Sequence, residues 1–280
     1  GDAVIVLAGT YTAPSGVSIT NRAGLNGNPI TYMAVGEVIV SSTAASVVTI
    51  ATNYTVFDGF RITGSAHEIT INNAVGCEIK NCWIYGPKTW GAAVAVNYAS
   101  NFSFHNNVIG PNLTWATEAI DETCPAGGNK YYNNTIVDAS DFGFVTRVPS
   151  SVTTEFRNNI ITNIGVTGNG IYSTNGNFAH TNNIVYTANP FNYCGGAGPF
   201  ETTVNPLLDA NYHLQSGSPA INAGVYVGLP YNETAPDLGA FETAGNPQTY
   251  YVSPTGNDNW SGTQSQPWAS IGNGDARNML

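Results

Sequence analysis

The feature that most narrows the folds open to this chain is an internal repeat of about 25 residues. Five segments align: Cys77–Gly86 (CEIKNCWIYG), Asn101–Gly110 (NFSFHNNVIG), Asn129–Asp138 (NKYYNNTIVD), Thr154–Asn163 (TEFRNNIITN) and Asn177–Thr187 (NFAHTNNIVYT). Each reads as a short strand with alternating apolar positions, an Asn-Asn or Asn-Cys pair, and a second short apolar run. The second residue of the pair falls at Cys82, Asn107, Asn134, Asn159 and Asn183, with spacings of 25, 27, 25 and 24 residues. A degenerate copy, Tyr54–Gly64 (YTVFDGFRITG), puts Gly59 in the same slot 23 residues upstream of Cys82.

Strands this short, recurring at this period, cannot bury an apolar face alone. Stacked as coils they can, each strand pairing in parallel with its equivalent in the next coil at roughly 4.8 Å. The pattern therefore predicts an all-β chain, a right-handed parallel β-helix, with coils from about Val4 to Tyr193. Leucine-rich repeats share the period but need regular leucines, and a propeller blade needs about forty residues. The recurring Asn suits a bend, where it tolerates left-handed backbone angles. In register, its amides form a ladder over Cys82, Asn107, Asn134, Asn159 and Asn183. Upstream, Val4–Val6, Val17–Ile19, Ile30–Tyr32, Val38–Val40 and Val47–Ile50 continue the strand pattern more loosely.

Composition agrees: 9% of the residues are charged, with 31 Gly and 15 Tyr among 280, a mixture rich in strand and turn formers. The net charge of −10 argues against nucleic acid and anionic membranes as partners. It also disfavours a polyanionic sugar unless calcium bridges the two. No apolar run is long enough to span a membrane, and any export signal lies outside this sequence. The cysteines Cys77, Cys82, Cys124 and Cys194 show no zinc spacing and allow three disulfide pairings. Cys82, on a core position, reads as a small buried side chain. Sequons begin at Asn53, Asn101, Asn112, Asn133, Asn232 and Asn259. All but Asn133, inside the ladder, are candidate glycosylation sites.

The segment Tyr250-Tyr251-Val-Ser-Pro-Thr-Gly-Asn-Asp258, followed by Gly262-Thr263 and Gln266-Pro267-Trp268-Ala-Ser-Ile271, resembles the opening segment of a family of secreted bacterial and archaeal β-helix proteins. These proteins share the pectate-lyase-like superfold. Gly1–Tyr11 (GDAVIVLAGTY) resembles the strand that follows in that family. Asn205-Pro206-Leu207, Tyr212-His213-Leu214, Ser216–Gly224 (SGSPAINAG) and Asp237–Glu242 (DLGAFE) resemble its closing segment. The resemblance implies an extracellular or cell-surface protein with the opening and closing segments in permuted order. It divides the chain into residues 1–242, a linker 243–249 and an opening segment 250–280. Ala269–Leu280 would be a short capping helix, and Tyr250, Tyr251, Trp268, Ile271 and Met279 assembly residues. The unit is then one period of a tandem array, a self-capped rod, or a subunit capping the next copy head to tail. An assembling rod, with copies of itself as partners, is the reading this order favours.

The alternative is a polysaccharide-active enzyme, lyase or glycoside hydrolase, or a carbohydrate-binding β-helix. Glycoside hydrolysis uses two carboxyls, and a lyase commonly holds calcium on aspartates. The candidates are Asp121, Glu122, Asp138 and Asp141, with Glu118 and Glu155 nearby and Arg147, Arg157 and His105 as helpers. The repeat places His105, Tyr132, Arg157 and Thr181 on one face. Trp83, Tyr85, Trp90 and Trp115 could stack on sugar rings, although aromatic stacks on β-helix coils more often serve packing. Neither adjacent aspartates nor a basic cluster suited to a uronate occurs, so no cofactor or metal is required by the pattern.

Overall fold

The computed structural model describes residues 1–64, 67–86, 91–111, 117–124, 127–149, 153–165, 168–175, 178–243, 251–258 and 265–270. Within them the chain is an all-β parallel solenoid. The expected helix over Ala269–Leu280 falls almost wholly outside the described residues, as do the linker residues 244–249.

Three faces build the rod. Face 1 stacks Thr55–Asp58, Glu78–Lys80, Ser103–His105, Asn129–Tyr132, Thr154–Arg157 and Ala179–Thr181. Face 2 stacks Arg61–Gly64, Trp83–Tyr85, Val108–Ile109, Thr135–Val137, Ile160–Thr162 and Ile184–Tyr186. Face 3 is an eight-stranded sheet from Val17–Ile19 through Ser46–Ile50, His67–Asn72, Ala92–Asn97, Glu118–Thr123, Phe142–Thr146 and Asn169–Ser173 to Asn189–Asn192. The two earliest coils have no Asn pair, and their strands Ala3–Thr12 and Ile30–Ser42 run across both faces. Ile30–Ser42 pairs with face 1 at one end and face 2 at the other, fusing the two into one sheet.

Register turns the repeat into continuous interior columns. On face 2, Val40, Ile62, Ile84, Ile109, Ile136, Ile161 and Val185 follow one another in register, all buried. On face 1 the column runs Phe57, Ile79, Phe104, Tyr131, Phe156 and His180. Each buried aliphatic contributes roughly 1.5–3 kcal/mol relative to exposure. The column on face 3 changes character along the rod: Ile50, Ile71 and Val96 give way to Glu122, Thr146 and Ser173.

The bend between faces 1 and 2 assigns the two members of each Asn pair different work. The first members, Asn81, Asn106, Asn133, Asn158 and Asn182, have φ between 49° and 59°. The second members point inward. Asn107, Asn134 and Asn159 each donate Nδ2 to the next coil's Oδ1 at 3.0–3.1 Å. That same oxygen accepts the backbone N–H of the preceding rung at 2.7–3.0 Å. Cys82 begins the series with its N–H on Asn107 Oδ1 (2.9 Å). Register corrects the slot assigned to Gly59: Phe57 pairs with Ile79 and Arg61 with Trp83. Gly59 (φ 84°) thus matches Asn81, and buried Phe60 matches Cys82. What Gly59 shares with the pair is the left-handed bend, which needs no side chain.

The outward members hold the closing segment, which lies as a strap along face 2. Asn106 Nδ2 donates to Ala240 O, Asn133 Nδ2 to Asp237 O, and Asn182 Nδ2 to Ala223 O. Asn158 both donates to Val225 O (2.7 Å) and accepts from Val225 N (2.9 Å). Leu238 and Ala220 close a small second core over Ile160 and Ile184. Trp83 packs against Tyr212 and Phe241 of the strap, with the Arg61 guanidinium over its ring.

At the far end the ladder terminates on a carboxylate. Asn183 Nδ2 donates to Glu201 Oε1 (2.5 Å), and Glu201 Oε2 accepts from His180 Nδ1 (2.9 Å) and Gly198 N (2.7 Å). His180 Nε2 faces Cys194 O at 3.2 Å. Both ring nitrogens meet acceptors, so both carry protons: His180 is a buried imidazolium at the end of an aromatic column. Burial lowers its pKa, yet hydrogen bonding to Cys194 and Glu201 prevails and raises it from 6.5 to about 10. The four cysteines are free and buried, and burial pushes the Cys82 thiol up to about 12.

Two stability measurements follow. Asn134→Ala removes the acceptor for Asn107 inside a closed interior, so urea unfolding should show a loss of about 2–4 kcal/mol; a loss below about 1 kcal/mol would mean the ladder is dispensable. The raised His180 pKa contributes stability that is fully present below pH 6.5 and is lost as pH rises through about 10. Melting temperature should fall across that window, and more steeply for the native chain than for His180→Gln.

Candidate functional site

The four acidic candidates are dispersed by the fold. Glu122 points into the rod, where its carboxylate accepts from Asn129 Nδ2 (2.8 Å), Thr146 Oγ1 (2.9 Å) and Thr154 Oγ1 (3.0 Å). Burial raises its pKa against those hydrogen bonds. Fully enclosed, it has no route to a substrate, and its role is to fill a polar gap in the core. Asp138 sits after face 2, hydrogen-bonded by Asn163. There it helps burial raise the pKa of the strap's Tyr212. Asp121 and Asp141 lie with Glu118 around face 3.

Strand parity explains the split. Ile120 and Glu122 face the interior, so Asp121 between them faces out; alternation breaks before them, where Ala119 and Ile120 are both buried, and Glu118 faces out as well. Arg147, just beyond the next strand, reaches back to both outward carboxylates: Nε to Asp121 Oδ1 (2.9 Å) and Nη2 to Glu118 Oε1 (3.0 Å). Burial and then the charge of Asp121 raise the Glu118 pKa; Arg147 opposes them, and Asp141 adds to the rise. The same outer rows continue along the rod in register, Glu118 to Phe142 to Asn169, and Asp121 to Val145 to Tyr172 to Asn192. Phe142 meets Tyr172 edge-on (5.2 Å between centroids), and Tyr172 meets Tyr193 (5.7 Å). Tyr193 is 73% exposed. Asn192 Nδ2 donates to Asn169 Oδ1 beside them (2.8 Å). Face 3 thus carries a strip of carboxylates, guanidinium, aromatic rings and amides over four successive coils.

On face 1, His105, Tyr132, Arg157 and Thr181 are aligned in register. Most of their polar groups are engaged locally, Arg157 Nε being the buried exception. His105 Nε2 binds Glu78 at 2.8 Å, Tyr132 donates to Glu155, and Arg157 pairs with Glu155 at 3.1 Å. The His105 hydrogen bond, against burial and together with Lys80, lowers Glu78 to about 2. A cavity of about 400 Å³ opens at the ladder's end between Arg157, His180 and the Gly195–Pro199 loop. Another of about 330 Å³ lies near Leu25, Tyr54 and Asn101. Neither is lined by a side chain of the face 3 strip, although the first includes Cys194, next to Tyr193. Among the described residues no His, Cys, Asp and Glu cluster could hold a metal ion.

The remaining candidates scatter. Asn53 uses its Oδ1 to accept Val75 N (2.9 Å), Asn101 is exposed, and exposed Asn232 donates Nδ2 to Thr243 O (2.9 Å). Asn133 is buried under the strap. Asn112, Asn259, Trp90, Trp115, Tyr250, Ile271 and Met279 lie outside the described residues. Tyr251 and Trp268 belong to a small parallel bridge, with Trp268 N on Tyr251 O (2.9 Å) and Ser253 N on Trp268 O (2.8 Å). Phe142, Tyr172 and Tyr193 escape the sequence reading because all three lie outside the aligned repeat. His180 has a signal: it occupies the slot filled by phenylalanine or tyrosine in four earlier coils.

No helix among the described residues is long and apolar enough to cross a membrane. No family model matches the chain, and a comparison with curated proteins finds no match. Among solved structures, the crystal structure of pectate lyase Pel9A is similar, with a TM-score of 0.56 and 19% sequence identity over 86% of this chain and 88% of that one. At that identity the likeness is one of fold: the chain shares the parallel β-helix of a pectate lyase.

Proposed function

We propose that this protein is an extracellular polysaccharide-binding β-helix whose glycan lies along the outer side of face 3, parallel to the rod axis. The observation that carries the reading is the continuous strip from Glu118, Asp121 and Arg147 over Phe142 and Tyr172 to Tyr193. Aromatic rings offer apolar surface to the C–H faces of a pyranose, and fixed carboxylates, guanidinium and amides take its hydroxyls. A likeness in fold to a pectate lyase supports a polysaccharide as the ligand class. Glu118, half-buried and beside a second carboxylate, is the residue we assign as proton donor should the bound chain be cleaved.

Affinity electrophoresis through gels containing soluble polysaccharides tests the binding. Retardation by at least one polysaccharide, reduced five- to twenty-fold in affinity by Tyr172→Ala, is the expected result; unretarded migration in every gel would sink the reading. Reducing-end release that Glu118→Gln abolishes would extend it from binding to hydrolysis.

A second reading, end-to-end assembly, has its own observation. In the earliest coil Val4, Ile5, Leu7 and Tyr11 are exposed, and the Ala3–Thr12 strand pairs on one side only among the described residues. An open strand edge with apolar side chains favours association with another strand. Sedimentation of the intact chain should then show a concentration-dependent increase in mass that is lost on deleting Tyr250–Leu280. Monomers at every concentration would dismiss it.

A further inference from the structure

Resting on the face 3 reading, we infer that the glycan is a single soluble chain of uncharged sugars, gripped one sugar per coil over about four sugars. Three features of the strip carry this. The first is charge. Glu118 and Asp121 stand at one end of the strip, both bonded by Arg147 through Nη2 and Nε, and the charge of Asp141 also reaches Glu118. A polyuronate would set the carboxylate of the sugar at that end against this cluster and string further carboxylates along a protein whose net charge is −10. Like charges brought this close repel one another, and salt relieves the repulsion only in part.

The second feature is spacing. Phe142, Tyr172 and Tyr193 belong to consecutive coils, and their centroids are 5.2 and 5.7 Å apart. Register puts Tyr172 three residues farther along its strand than Phe142, so the rings climb obliquely in mutual contact, one ring for each coil advance of roughly 4.8 Å, an advance that suits one pyranose of an extended chain per coil. With the carboxylate pair at Glu118 and Asp121 one coil earlier, the strip spans four coils. The third feature is ring orientation. Successive rings are inclined at 64° and 73° to each other, so they form no flat platform. A single flexible chain can follow such a surface, whereas the planar face of a crystalline polysaccharide cannot.

Calorimetric titration of the full chain separates this inference from the reading beneath it. The probes are neutral gluco-, manno- and xylo-oligosaccharides of two to six units, and polygalacturonate with calcium or with EDTA. Affinity for at least one neutral series should rise up to four units and then level. Polygalacturonate should bind at least tenfold more weakly, calcium should not restore it, and Glu118→Gln with Asp121→Asn should strengthen it about tenfold. Polygalacturonate binding as tightly as the neutral chains, with or without calcium, overturns the charge inference but leaves the polysaccharide reading standing. Affinity still rising at six units, or preference for insoluble over soluble glucan in a pull-down, overturns the one-chain, four-sugar fit. Absence of binding to every probe removes both.

Discussion

A parallel β-helix must turn its backbone sharply once between faces 1 and 2 in each coil, and every turn leaves amide groups that no strand can pair. In this chain an asparagine carbonyl from the next coil meets them. Asn134 Oδ1, for example, accepts both the N–H and the side-chain amide of Asn107. The same residue's Nδ2 donates to Phe104 O two residues before that bend's pair (2.9 Å). Stripped of these partners, buried amides would each cost roughly 1–3 kcal/mol. The columns of Ile, Phe and Tyr can close around the axis because the bend beside them is satisfied.

The bend also explains the strap. An L-residue placed in the left-handed region next to an inward Asn projects its side chain away from the core, and asparagine tolerates that conformation at low cost. Four such residues present amides along the outside of the rod, and the strap carbonyls of Ala223, Val225, Asp237 and Ala240 receive them. One dipeptide thereby links interior ladder, backbone turn and lateral cover. The strap covers much of the outer side of face 2, most of the charges on face 1 are paired with one another, and face 3 carries carboxylates, a guanidinium and aromatic rings together.

Much of this was legible in the sequence. The Asn pairs at 24–27-residue intervals fix coil length and strand order from Cys77 to Tyr186, since the interior columns require that register. Pattern alone puts Gly59 one position off, because a glycine and an asparagine can each make the bend and only register says which slot it fills. Glu122 looks equivalent to Asp121 in the sequence because nothing local shows which of two adjacent residues faces inward; its inward position follows from register with Val96 and Thr146 on neighbouring coils. The Phe142–Tyr172–Tyr193 row was invisible for a related reason. Face 3 strands follow loops of variable length, so their alignment emerges only after the coils are stacked.

Glu201 gives the ladder a direction. Each amide rung both donates to and accepts from its neighbours, so it can be followed by another identical rung, but a carboxylate accepts without donating and admits no successor. Whole coils can therefore be added or removed between Cys82 and Asn183 while the terminus stays unchanged. A unit of about 25 residues is the natural quantum of such growth, and each one would lengthen face 3 by roughly 4.8 Å. The rod is a ruler whose graduation is the coil, with its reading set by how many Asn pairs precede the glutamate.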